Sequence, residues 1–264
     1  MKTSSEKIIA TEDGHIGWIT FDNPARRNAM SLDMFQAIPE VISAYENDPA
    51  IRVIVLRGAG EKAFISGADI SQFEQLRSNE ENVKIYNAAT EAAQQALNLC
   101  EKPTIAMIHG YCIGGGVGTA TSCDLRIASE TARFAIPAAK LGLGYRTTGV
   151  RRLMHLVGPS YTREIFYTAR QFSAEEALGM RLINRVVPEA QLEGYVREYA
   201  ETIANNAPLT IRAIKHSVTE LLKDEDERDL DKANAMVEAC FSSEDYIEGR
   251  RAFMEKRPPQ FQGK

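Results

Sequence analysis

The chain has 264 residues, 44% of them hydrophobic and 25% charged, with a formal net charge of -5. That length supports a sizeable globular core, and the acidic balance argues against a nucleic-acid or anionic-membrane surface as the main role. Cys100, Cys112, Cys123 and Cys240 are widely spaced with no Cys-x-x-Cys pair, which excludes a zinc knot and a disulfide framework and fits small buried residues of a reducing compartment. The N-terminal stretch has no apolar signal region, and no segment approaches the ~20 apolar residues of a membrane span, so the expected location is the cytoplasm.

In chain order, Lys7 to Thr11 and His15 to Phe21 read as strands around Glu12-Asp13-Gly14, a hairpin signal. Ser31 is placed to cap a helix carrying Met34, Phe35, Ile38 and Ile42 on one face, with Pro39 expected to bend or interrupt it. Ile51 to Leu56 is almost continuously apolar and suits a parallel strand covered on both faces. Ala63 to Ile70, AFISGADI, is short, apolar and glycine-containing, Arg77 to Asn82 is polar, and Asn82 to Cys100 has the spacing of a long amphipathic helix.

Thr104 to Ile108 is a buried strand, and Gly114 to Gly116 then lead into a small-residue helix, Val117 to Ser122. Further strands are expected at Asp124 to Ala128 and Arg133 to Ile136, then a glycine-rich loop, Pro137 to Gly149. Ser160 to Tyr167 reads as a helix, Ser173-Ala-Glu-Glu176 is a capping box, and Leu182 to Val187 is a strand. Beyond Glu189 only helical patterns follow, at Gln191 to Asn205, Leu209 to Leu222, Glu227 to Phe241 and Ser243 to Glu255. The expected fold is α/β, with a core over residues 1–190 and a helical region over 191–264.

Strand, glycines and helix start bring bare N–H groups to a helix N-terminus, where negative charge is favoured. A dinucleotide site requires Gly-x-Gly-x-x-Gly, yet Thr119 stands three places after Gly116, and no Lys follows the glycines as a P-loop requires. An oxyanion site and a tight strand–helix turn remain as readings.

AFISGADI and HGYCIGGGVG together resemble the two oxyanion segments of the crotonase (enoyl-CoA hydratase/isomerase) superfamily. The resemblance extends to Asn28-Ala29-Met30, Ser122-Cys123-Asp124-Leu125, Ile183-Asn184-Arg185-Val186-Val187 and the stretch from Glu248 to Arg257. It implies a spiral of ββα units with C-terminal helices that mediate homotrimers, often paired into hexamers. The implied substrate is an acyl-CoA thioester, with no cofactor beyond its coenzyme A, no metal, no nucleic acid and no membrane. The implied catalytic donors are the backbone N–H groups of Ser66 and Gly115. The implied binding residues are Arg27 and Ala29, the segment Ala63, Ser66, Gly67, Ala68, Asp69 and Ile70, together with Gly115 and Lys256. Arg27 and Lys256 also read as plain surface charge, and Asp69 and His109 as structural.

The family's hydratases carry two glutamates, and here their positions hold Gly118 and Ala138. The polar groups remaining nearby are Lys140, Tyr145, Arg146, Thr147 and Thr148. KLGLGYRTTGVRRL and the C-terminal stretch are similar to those of bacterial methylmalonyl-CoA decarboxylases, which have tyrosine at the place of Tyr145. Loss of CO2 itself yields the enolate, so that chemistry needs no base, and a neutral tyrosine can orient a carboxylate without repelling it. Ala68 stands where those decarboxylases have histidine. The resemblance therefore implies an acyl-CoA lyase of decarboxylase-like mechanism, with two alternatives: an enoyl-CoA hydratase with atypical catalytic residues, and a non-catalytic acyl-CoA-binding subunit. Tyr145 reads as either a catalytic group or a packing residue.

Overall fold

Apolar strands covered on both faces organise the molecule. The computed structural model describes residues 1, 3–69 and 80–264. Strands β1 (Ile8–Asp13) and β2 (Ile16–Phe21) form an antiparallel hairpin. From β2 a six-stranded sheet continues in parallel through β3 (Val53–Gly58), β5 (Thr104–Ile108), β7 (Leu125–Ser129) and β10 (Arg185–Val187). A four-stranded sheet has the order β4 (Ala63–Ile65), β6 (Tyr111–Ile113), β8 (Arg133–Ala135), β9 (Phe172–Ser173). The pairs β3/β4, β5/β6 and β7/β8 each send their first strand to the large sheet and their second to the small one. Helices α2 (Glu80–Leu99), α3 (Gly115–Ser122) and α4 (Thr147–Thr168) follow these pairs, which makes a spiral of ββα units.

The period of two in β3 explains how the large sheet is covered. Ile54 and Leu56 join the main core with Met34, Phe35, Ile38 and Val41 of α1 (Leu32–Asn47). Val53 and Val55 face the other way, with Trp18, Ile105 and Ile127, against Leu192, Val196, Ala200 and Ala204 of α6 (Leu192–Ala204). Burying these aliphatic side chains contributes about 1.5–3 kcal/mol each relative to exposure. The division expected at residue 190 therefore falls inside a packed layer. α6 closes the second face of the sheet, and α7 (Pro208–Leu221), α8 (Leu230–Phe241) and α9 (Glu244–Glu255) follow it. Between α4 and α6 lies α5 (Ala174–Gly179), opened by the expected capping box: the Glu176 N–H donates to Ser173 Oγ at 3.1 Å, and the Ser173 N–H donates to Glu176 Oε2 at 2.8 Å.

Three local expectations are corrected. α1 runs through Pro39 without a break, because the face from Met34 to Tyr45 is buried and holds the helix together across the missing N–H. Strands β6 and β9 lay hidden in short stretches next to glycine or charged residues. α4 begins at Thr147, inside the expected loop, and turns at Gly158 (φ 74) before Pro159. Among the described residues no helix is long and apolar enough to cross a membrane.

Candidate active site

Two close approaches build the site. Gly114 ends β6 with φ 56, a left-handed conformation that disfavours any side chain, and caps α3. Gly116 packs onto β4 so tightly that a Cβ there would lie 2.4 Å from the Ile65 carbonyl oxygen. The helix start is thereby pressed against the end of β4, and a Cβ on Gly114 would stand 4.0 Å from Gly67 Cα. The other wall is the segment Arg27 to Met30. Arg27 and Asn28 both adopt positive φ, 52 and 56. The fully buried Asn28 amide donates to the Ala59 and Ala63 carbonyls at 2.9 and 2.7 Å and accepts from the Asn23 N–H at 3.0 Å. This side chain, rather than Ala29 beside it, pins the wall, and the sequence motif contains it without disclosing that role.

The backbone between the two walls shows which N–H groups are already bonded. The Met30 N–H donates to the Gly67 carbonyl at 2.8 Å, and the Asp69 N–H donates to the Met30 carbonyl at 2.9 Å. Ala68 lies between them in an extended segment, so its N–H points away from Met30. Neither that N–H nor the one of Gly115, first in α3, has an acceptor among the described residues. Ser66 is different: its N–H donates to the Arg27 carbonyl at 3.2 Å, and its hydroxyl donates to the Arg26 carbonyl at 3.2 Å. The expectation that Ser66 supplies an oxyanion donor is corrected, because its N–H is already in use. Ala68, two residues on, has the unoccupied one.

The other expected residues divide clearly. Ala63, Gly67 and Asp69 are buried in the wall, with Asp69 paired to Arg26 at 3.6 Å. Arg27 is exposed, its guanidinium 5.5 Å from the centre of the Tyr111 ring. Lys256 is exposed at the end of α9, and no contact within the described residues joins it to this region. Ile70 lies outside the described residues, as does the start of the polar stretch expected from Arg77 to Asn82. His109 is buried, and that burial lowers its pKa; its Nε2 has no partner among the described residues.

One turn along α3 from Gly115, side chains replace backbone. A Cβ on Gly118 would meet Gln94 Nε2 at 2.5 Å and Tyr145 Oη at 3.7 Å. Ala138, the second position where an acid is absent, is buried. The Tyr145 ring is held by an edge contact with Phe166, 4.8 Å between centroids, and by the lack of a side chain on Gly149. Burial pushes the Tyr145 pKa up, against a smaller opposing effect of Arg152. Gln94 and Arg152 escape sequence reasoning because α2 and α4 bring them to Gly118 only in the fold. Among the described residues no group of three His, Cys, Asp or Glu is placed to hold a metal ion.

Comparison with known proteins agrees with this architecture. The enoyl-CoA hydratase/isomerase family model matches residues 11–264. A short-chain-enoyl-CoA hydratase of Clostridium acetobutylicum is 34% identical over 250 residues, covering 95% of each chain. A carnitinyl-CoA dehydratase of Escherichia coli is 34% identical, covering 98% of this chain and all of the other. The crystal structure of an enoyl-CoA hydratase/isomerase family protein from Hyphomonas neptunium superposes with a TM-score of 0.92 at 36% identity, covering 98% of this chain and 99% of that one. The chain belongs to the crotonase, or enoyl-CoA hydratase/isomerase, superfamily.

Proposed function

We propose that this protein is an enzyme that binds an acyl-CoA thioester and stabilises its enolate between the backbone N–H groups of Ala68 and Gly115. The carrying observation is that these two N–H groups stand unbonded at the junction of β4 and α3. Charge that develops on the thioester oxygen meets two fixed donors and a helix N-terminus, and each donor of this type lowers a barrier by about 3 kcal/mol. The reaction is hydration–dehydration across C2 and C3 of the acyl chain, the chemistry named for the hydratase and dehydratase relatives. Water adds at C3 as hydroxyl, the enolate forms on the thioester, and the proton that water gives up replaces the one delivered to C2, so that no net proton is gained or lost. Tyr145 Oη, unbonded among the described residues and kept protonated by burial, serves as the proton donor. Arg27, Ala29 and the 63–69 segment hold the coenzyme A portion, and no cofactor beyond it is used.

A second reading, decarboxylation of a malonyl-type thioester, is favoured by one observation: neither Gly118 nor Ala138 offers a base for water. Loss of the crotonyl-CoA conjugation absorbance, measured beside CO2 release from methylmalonyl-CoA, separates the readings. Hydration predicts the first signal, and CO2 release without it would establish the second. Tight binding of CoA esters with neither signal would make the chain a binding subunit and overturn the enzymatic reading. We further propose a homotrimer or homohexamer, supported by Ile247, Phe253 and Met254 standing 62%, 82% and 80% exposed on α9. Sedimentation of a monomer at micromolar concentration would refute it.

A further inference from the structure

The Gln94 amide has only one workable orientation. Arg152 Nη1 lies 2.9 Å from its oxygen, and a guanidinium only donates, so the oxygen must face Arg152. The NH2 group is thereby turned toward the space beside Gly118, and it has no acceptor among the described residues. Tyr145 Oη borders the same space and is also unbonded. Behind these two donors stands the charge of Arg152, retained despite burial because a guanidinium stays protonated in proteins. The carboxylate whose charge acts on Arg152 is Glu91, and it is itself paired to Arg146 at 3.1 Å. The cluster therefore presents donors and net positive charge at the place where hydratases of the family present a carboxylate.

We propose that Gln94, positioned by Arg152, is a receptor for a carboxylate on the acyl group, so that the substrate is the CoA monothioester of a dicarboxylic acid, with the Tyr145 hydroxyl left to its role as proton donor. The assignment rests on the acyl-CoA reading above. Gly118 lies one helical turn from Gly115, about 5 Å along the axis, so the receptor faces the acyl chain a few atoms beyond the thioester carbonyl. A neutral methyl at that distance leaves the Gln94 donor unpaired, whereas a carboxylate accepts from it and feels the guanidinium behind it.

The test uses butyryl-CoA and succinyl-CoA, which share chain length and differ by a terminal methyl against a carboxylate. Calorimetric Kd values are measured for the wild-type protein and for Gln94→Leu and Gln94→Glu. The wild type is expected to bind succinyl-CoA roughly tenfold or more tightly than butyryl-CoA. Gln94→Leu should bring the ratio near unity, and Gln94→Glu should invert it, because a carboxylate then faces the ligand's own. Equal wild-type affinities, or a ratio untouched by Gln94→Glu, would overturn the receptor while leaving the acyl-CoA reading intact. Failure of both esters to bind would overturn both together. Gln94→Glu keeps the shape and the contact to Arg152, so a loss of fold would not account for an inverted ratio.

Discussion

The N-terminal turn of α3 and the turn that follows it obey different rules. Around Gly115 every functional atom is backbone, and its position is set by contacts of other backbone atoms: Gly116 against the Ile65 carbonyl, and Met30 bonded to both Gly67 and Asp69. Around Gly118 the proposed functional atoms belong to side chains of two helices and the approach to one of them, Gln94, Arg152 and Tyr145. The first region tolerates few sequences but asks little of residue chemistry. The second can be rewritten by substituting single side chains. On the reading proposed above, thioester activation can therefore be kept while what happens to the activated acyl group is changed.

The sharpest way to break this contrast is Gly116→Ala. The added Cβ meets a carbonyl oxygen that cannot swing away, at 2.4 Å, so α3 must move and carry the Gly115 N–H with it. Turnover of the protein's own substrate is expected to fall about 100-fold or more, with the far-UV circular dichroism retained. Wild-type rates in this variant would show that donor placement does not depend on that contact.

Adding acids to the second region should sharpen the contrast in the other direction. In Gly118→Glu the new Cβ meets the end of the flexible Gln94 side chain and ordinary space near Tyr145. Combined with Ala138→Glu, it is expected to raise crotonyl-CoA hydration roughly 100-fold, the scale of general acid–base catalysis. No gain would mean that the oxyanion half is not poised for that reaction.

Tyr145→Phe is a smaller perturbation, because the ring contact with Phe166 survives and only the hydroxyl is lost. Turnover is expected to drop roughly tenfold, the lower end of what a proton donor contributes. Unchanged turnover would leave Tyr145 as packing. The smallest effect is in pH. Burial raises the Tyr145 pKa, so the phenol stays protonated as the solution passes the ordinary tyrosine value, and no carboxylate stands at Gly118 or Ala138. The rate should therefore be nearly flat from about pH 6 to about pH 9. A bell-shaped profile in that window would point to a titrating group elsewhere in the site.

The same contrast governs what could be read from the residues. The strand Thr104–Ile108 and the glycines after it were legible because burial and left-handed backbone leave marks in composition. So was the hairpin that opens the chain. The choice of Ala68 over Ser66 was not, because it depends on which side of an extended segment meets Met30, and that is a property of pairing. The first half of α4 was masked by glycines that read as loop. Gln94 and Arg152 are 58 positions apart, on helices whose polar faces look alike until both reach Gly118. The packing of α6 on the sheet was also obscured, since a helix beside a sheet and a helix beside other helices carry the same apolar stripe.

The distribution of each ββ pair over two sheets also bears on synthesis of the chain. A nascent polypeptide held on the ribosome after Thr168 would have neither β9 nor β10, so both sheets would lack their last strand at once. Once Ala204 has cleared the exit tunnel, both last strands can be added and α6 can cover the Trp18 face. Protease resistance of stalled chains should therefore rise in one step between these two lengths, instead of growing with each turn of the spiral. A gradual rise would show that the early turns already fold stably on their own.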